Sequence, residues 1–431
     1  MKTMIMLLLS IFLIVSACEK EPMIDPPIQS VQDTLSGDIT ENRTLVSTKT
    51  YYLSGFVYVK NATLTIEPGT IIKGVSGTKA TLIIEKDSKI IAQGTSTKPI
   101  VFTSDKPKGQ RSYGDWGGIV LCGNAPTNKH DISAGVGVSE GGIGSLYGGD
   151  DPTDNSGILE YVRIEFPGIT LTATANSEVN GLTLYSVGSG TVLNNIQVSF
   201  SGDDSFEWFG GNVNSKHLVA YKGWDDDFDS DNGFSGNVQF FLSVRDASIA
   251  DQSQSNGFES DNDSDGSTLS PYTSASFSNG TILGPLYSST TPNSLYRHAI
   301  QIRRGSRLSI YNSVFVGYPY GLYIDGQKGD SPLQATNGTL QIENCVMSQM
   351  TDNYVDKYLS DIEAWYLSKN EILADPKLQG YIPVLNSPLL NGASFTNTKL
   401  STFDIVTYRG AFGVTNWTEG WCNFDPQNTD Y

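Results

Sequence analysis

Short apolar runs that return at a fixed step constrain this chain more than any other feature. "LTI" at Leu64–Ile66, "LII" at Leu82–Ile84 and "IVF" at Ile100–Phe102 follow one another at steps of 18 residues. Farther on, "DSFEWFGG" and "DDFDSDNG" align with Phe206 above Phe228, a step of 22, and "NGFESDN" continues the series at Phe258. "NIQVSF" at Asn195 and "HLVAYK" at His217 keep that step, as do Ile300 and Leu322. Runs this short, bounded by Gly, Asn, Asp and Ser, read as strands and turns rather than helices. A coil of 18–22 residues cannot bury its apolar face alone, so successive coils must stack. The fold class predicted is all-β: a single parallel β-helix, right-handed because parallel crossovers are.

Stretches 123–156, 167–179, 262–275 and 284–297 interrupt the repeat and are rich in Gly, Ser and Asp; they are expected to project as corner loops. "SDIEAWYLSKNE" predicts one short C-terminal helix, with Ser360 and Glu363 as a capping box and Ile362, Trp365 and Tyr366 on one face. A solenoid exposes sheet edges at both ends. The closing stretch with Trp417 and Trp421 is the candidate cover, which assigns 38–431 to the β-helix domain and its cap.

The first residues, "MKTMIMLLLSIFLIVSAC", join one lysine to an apolar run and end on small residues. That pattern predicts a signal peptide over 1–17, too short to span a membrane as a helix. "VSAC" has the form of a lipobox, which makes Cys18 the expected lipidation site, and "CEKEP" is similar to the surface-export signal of Bacteroidetes lipoproteins. Residues 18–37, with prolines and acids, are then a flexible tether, and the expected location is the outer membrane, facing outward. Cys122, Cys345 and Cys422 remain, an odd and widely spaced set with no C-x-x-C pair, so neither a disulfide framework nor a zinc knuckle is supported.

The net charge of −18 disfavours nucleic acid as a partner, because phosphate backbones require basic surface. It concentrates in "WDDDFDSD", Trp224–Asp231. Strand residues alternate inward and outward. If Phe206, Phe228, Phe258, Ile300 and Leu322 stack inside, then Glu207, Asp229, Glu259, Gln301 and Tyr323 form an outward column. Phe209, Asp231, Asp261, Arg303 and Asp325 form a second one. Asp203, Asp204, Asp225, Asp226 and Asp227 precede the same strands and fall at one corner. Carboxylates one strand spacing apart repel by roughly 3.5 kcal/mol at an effective dielectric of 20. A cation relieves that repulsion, and oxygen-only ligands select a hard ion such as calcium. The competing reading is that these aspartates cap turns by accepting backbone N–H bonds. Arg303 reads either as a member of an ion-pair ladder with Asp261 and Asp325 or as a contact to an acidic sugar. His130, His217, His298 and Cys122 lie in no recognisable catalytic arrangement.

"GDWGGIVLCGNAPTN", "SGILEYVRIEF", "SGDDSFEWFGG", "DDDFDSDNGFSGNVQF", "ADQSQSNGFESDND", "YRGAFG" and "WTEGW" resemble a family of secreted and surface lipoproteins from Bacteroidetes, from about residue 45 to 431. The resemblance implies a pectin-lyase-like right-handed β-helix and carries no activity with it. "SGDDSFEW" is also similar to the G-D-D motif of polygalacturonases at Gly202, Asp203 and Asp204, but the accompanying H-G motif is absent and "QIRRG" stands where R-I-K is expected. The leading expectation is a monomeric, non-catalytic surface lipoprotein, held to the membrane by its lipid, whose acidic face binds cations and a polysaccharide through Glu207, Asp229, Glu259, Arg303 and Tyr323. The alternative is a polysaccharide hydrolase or lyase in which Asp203, Asp204, Asp226 and Asp227 serve as acid, base or calcium ligands and Arg303 touches substrate.

Overall fold

The structure is a computed structural model, and it describes residues 33–169 and 178–431. The predicted signal peptide, Cys18 and all of the tether before Asp33 lie outside the described residues. The first strand, Asp33–Ile39, begins inside the stretch assigned to the tether, because Leu35 and Ile39 alternate inward and are buried.

Each coil of the right-handed β-helix carries strands in three parallel sheets. Sheet one stacks Arg43–Leu45, Thr63–Ile66, Lys89–Gln93 and then 157–160, 192–194, 215–216 and 237–239. Sheet two stacks Ile71–Gly74, Ile100–Ser104, 162–165, 196–199, 218–221, 241–244 and 280–283. Sheet three stacks Thr81–Ile84, Gly118–Cys122, Leu182–Tyr185, Phe206–Phe209, Phe228–Asp231, Phe258–Ser260, His298–Ile302 and Tyr320–Ile324.

The chain passes from sheet one to sheet two through a single left-handed residue. Tyr161, Asn195, His217, Phe240, Asn279, Asn312 and Asn344 occupy that bend on successive coils, with φ between 50° and 62°. Asparagine enters this region at low cost, whereas a tyrosine or phenylalanine there pays on the order of 1–2 kcal/mol. Inside the coil the predicted stack holds: Phe206 and Phe228 lie 5.7 Å apart and nearly parallel, and Phe228 and Phe258 are 5.2 Å apart. Each is 1% exposed or less.

Two corrections concern the helices. Ile362–Leu367 is helical, with Ile362 and Tyr366 buried on the last coils, but the capping box is not formed: Asp361 precedes the helix at φ 60° and no side chain caps it. A second helix, Ser331–Thr336, opens on a proline after Asp330 and went unpredicted. The cover is also reassigned. The Ile362–Leu367 helix closes the C-terminal end of the core, while the closing stretch lies along the side of the solenoid as a strap on sheet two. Gly410 N–H donates to Asn312 C=O, Trp421 packs on Tyr161, and the Tyr431 hydroxyl reaches Glu165. The outer face of sheet two is apolar at Val219 and Leu242, which is why it takes the strap rather than solvent.

Candidate functional site

Sheet three changes character along its length. In the N-terminal coils its outer face is apolar, with Ile83, Val120, Cys122, Tyr185 and Phe209 buried under Ile143 and Tyr147 of the 123–156 loop. One outward column turns acidic at Glu207 and the neighbouring one, after Phe209, at Asp231. Glu207, Asp229, Glu259, Gln301 and Tyr323 are paired in register on neighbouring strands, as the repeat predicts.

The corner aspartates join this column. Carboxylate oxygens of Asp203, Asp204 and Asp225 lie within 4.8 Å of one another, as do those of Asp204, Glu207 and Asp229 and those of Asp226, Asp229 and Glu259. Asp204 and Asp229 each belong to two of these triads, so seven carboxylates form one continuous strip. Asp251, unmarked in the sequence because it sits in an irregular loop, adds its charge at the corner beside Asp203 and Asp225.

Turn capping accounts for part of the corner. Asp204 Oδ1 accepts the backbone N–H of Asp226 at 2.7 Å, and Asp226 Oδ1 accepts that of Asn256, one coil further on. Ser253 donates to Asp225 Oδ2 at 2.6 Å, Asn180 to Glu207, and Asn256 to Glu259 at 3.4 Å. Asp225 Oδ1 and Asp229 Oδ1 are shielded from solvent and have no hydrogen-bond partner. A buried, unmet acceptor costs about 1–3 kcal/mol, more when charged.

Burial holds the carboxyls of Asp203, Asp204, Glu207, Asp225, Asp226, Asp229 and Glu259 well above the usual carboxylate range; neighbouring carboxylates add to it, while at Glu259 the Arg303 guanidinium works against it. Asp231 is pushed up to about 8, by burial first and Asp261 second. Every negative charge on the strip is therefore costly, and a cation would relieve that cost.

Asp227 does not join the strip. It points into the core, where its carboxylate meets Arg245 at 2.7 Å with neither side chain exposed, and where Ser243 and Tyr318 also donate to it. Its place among the predicted cation ligands is corrected for that reason: its charge is already matched. Arg303 pairs with Glu259 and, through two bonds of 2.9 and 2.8 Å, with Asp261, which Arg304 also contacts. Asp325 takes no part in that ladder and instead accepts the N–H of Gln327. Tyr323 is 8% exposed and stacks on His298 at 4.9 Å, with Gln301 between it and Glu259 in the column. Asn180 and Asn256, which orient the strip, carried no sequence signal beyond lying just before its strands.

The histidines are elsewhere engaged. His217 bonds Asn194 and lies against Phe240 and Trp417, and His298 bonds Asn256 and Gln301. Burial depresses both to about 4, so both are neutral at pH 7. Cys122 is buried with its thiol pushed up by burial. Among the described residues Cys122, Cys345 and Cys422 are all free.

Residues 37–377 match the family described as "Pectate-lyase like beta helix domain". The chain belongs to that pectate-lyase-like family. Neither a curated protein nor a solved structure matches it. Membership in the pectate-lyase-like family accounts for the three-sheet coil and leaves the activity open.

Proposed function

We propose that the acidic strip on sheet three takes up divalent cations, calcium first among them, and through them holds a polysaccharide without cleaving it. The observation that carries this reading is Asp229. Its Oδ1 is buried and unmet, and its carboxylate belongs to two overlapping triads. A hard cation with six to eight oxygen ligands satisfies such an atom and removes the repulsion at once. Asp203, Asp204, Asp225 and Asp226 are the corner ligands in this proposal, and Glu207 and Glu259 extend them. Arg303 supplies positive charge at the Glu259 end of the strip, with Arg304 beside it on Asp261. Lipidation at Cys18, outward display on the outer membrane and action as a monomer complete the reading.

A hydrolase or lyase is the second reading, favoured by carboxyls whose affinity for a proton burial raises, as a general acid requires. Against it stand the engagement of Arg303 by two carboxylates and the absence of a free imidazole at the strip among the described residues. Calorimetric titration with calcium, followed by retention on polygalacturonate and assay of its products, tests both. Calcium uptake and retention without products is the expected result; released oligosaccharides overturn it in favour of the enzyme, and no calcium uptake removes both the ion and the bridge.

A further inference from the structure

A groove lies on a different face from the acidic strip, on the outer side of sheet one where the strap crosses it. Its volume is about 330 Å³, and Val192, Asn194, Lys216, Gln239, Thr402 and Phe403 line it. Pockets that hold small organic ligands begin at roughly this size.

The groove is built by register. Asn194, Lys216 and Gln239 are paired on three successive coils and face outward. Gln239 grips the strap through both of its amide atoms, donating to Asp404 C=O at 2.8 Å and accepting Asp404 N–H at 2.9 Å. Asn237 donates to Thr402 at 3.2 Å, and Phe403 is buried beneath the crossing. Asn194 is held in orientation by His217 at 2.9 Å and Glu160 at 3.3 Å. The one lysine is matched by Asp404 at 2.6 Å. A concave surface with apolar patches at Val192 and Phe403, an amide and hydroxyl rim and no unmatched charge remains, on a chain whose net charge is −18.

We infer that this groove is a second binding site and takes a neutral saccharide, independently of any cation. Gln239 is spent on the strap, so a sugar ring sets its apolar face on Val192 and its hydroxyls on Asn194, Asn214 and Asn237, amides that both donate and accept. A peptide fits less well. Strand addition needs a free backbone edge, and here the sheet strands are paired on both sides while Asp404 has spent its N–H and C=O on Gln239.

The test is calorimetric titration of the whole chain in chelator with neutral trisaccharides of gluco, manno and xylo configuration. Wild type is compared with Val192→Trp, which fills the groove from a side chain 45% exposed, with Thr402→Trp, which fills it from the strap, and with Asp229→Asn. At least one trisaccharide binds wild type and Asp229→Asn equally, and each tryptophan variant whose thermal melt is unchanged loses affinity at least tenfold. Failure of every trisaccharide to bind wild type overturns the inference. So does full binding by both tryptophan variants, loss of binding in Asp229→Asn alone, or displacement of the sugar by an unstructured tryptic peptide mixture. Because chelator is present throughout, failure here leaves the cation reading of the acidic strip standing.

Discussion

Asp227 and Arg245 face each other at 2.7 Å inside the coil, both side chains wholly buried, with Asp227 directly following Asp226 of the acidic corner. Arg245 also donates to Trp224 C=O at 3.3 Å, so the pair fixes the backbone on both sides of Asp225 and Asp226. Breaking such a pair leaves an uncompensated buried charge and costs about 3–5 kcal/mol. Asp227→Ala is therefore expected to lose about that much stability in chemical denaturation. Joint replacement by Asp227→Leu and Arg245→Met is expected to recover most of it; equal loss in the single and double variants refutes the assignment.

The raised carboxyl pKa values give the cation-free protein a definite pH dependence. A carboxyl that binds its proton more tightly folded than unfolded contributes stability at low pH and loses it as pH rises from about 4 toward the folded value; that value is about 8 for Asp231. In chelator, the melting temperature should fall steadily between pH 5 and pH 8. Millimolar calcium is expected to flatten that slope and raise the melt at pH 8 by several degrees. A flat profile without calcium removes the strain from the account.

Asp229→Asn tests the strip at its centre. Losing one charge shared by two triads should stabilise the cation-free protein at pH 8 by about 1–3 kcal/mol. The same change is expected to weaken calcium binding at least tenfold by calorimetry. Destabilisation without loss of calcium affinity assigns Asp229 to packing alone.

The strap rests on aromatic packing. Trp421 is 1% exposed, meets Tyr161 edge-on at 5.8 Å and donates to Trp417 C=O at 2.7 Å. Trp421→Ala is expected to cost about 3–5 kcal/mol and to expose Val219 and Leu242. Dye binding to that apolar face should rise with it; a native melt denies the strap any part in stability.

The coil was legible because its period is written in residues that must face inward: Phe206, Phe228 and Phe258 stack as their spacing demands. The outward column followed from the same alternation. Asp227 was not legible, since a run of three aspartates at a corner does not reveal which one turns inward, and Arg245, its partner, lies 18 residues away, just past a strand of sheet two. The capping box failed for a similar reason: Ser360 and Glu363 have the right spacing, but docking Ile362 and Tyr366 on the last coil forces Asp361 into a left-handed bend. The strap's course was hidden because its grips, Gln197, Gln239, Asn279 and Asn312, look like ordinary surface amides in sequence.

Those four amides have a mechanical consequence. A bare solenoid is held only by contacts between adjacent coils and can fray one rung at a time from either end. Here a single returning segment is fastened at Asn312, Asn279, Gln239, Gln197 and Arg111, in that order along the stack. Peeling any rung in this span means first detaching a cord that is tied to the others, so a tug on either terminus is shared across the array instead of unzipping it.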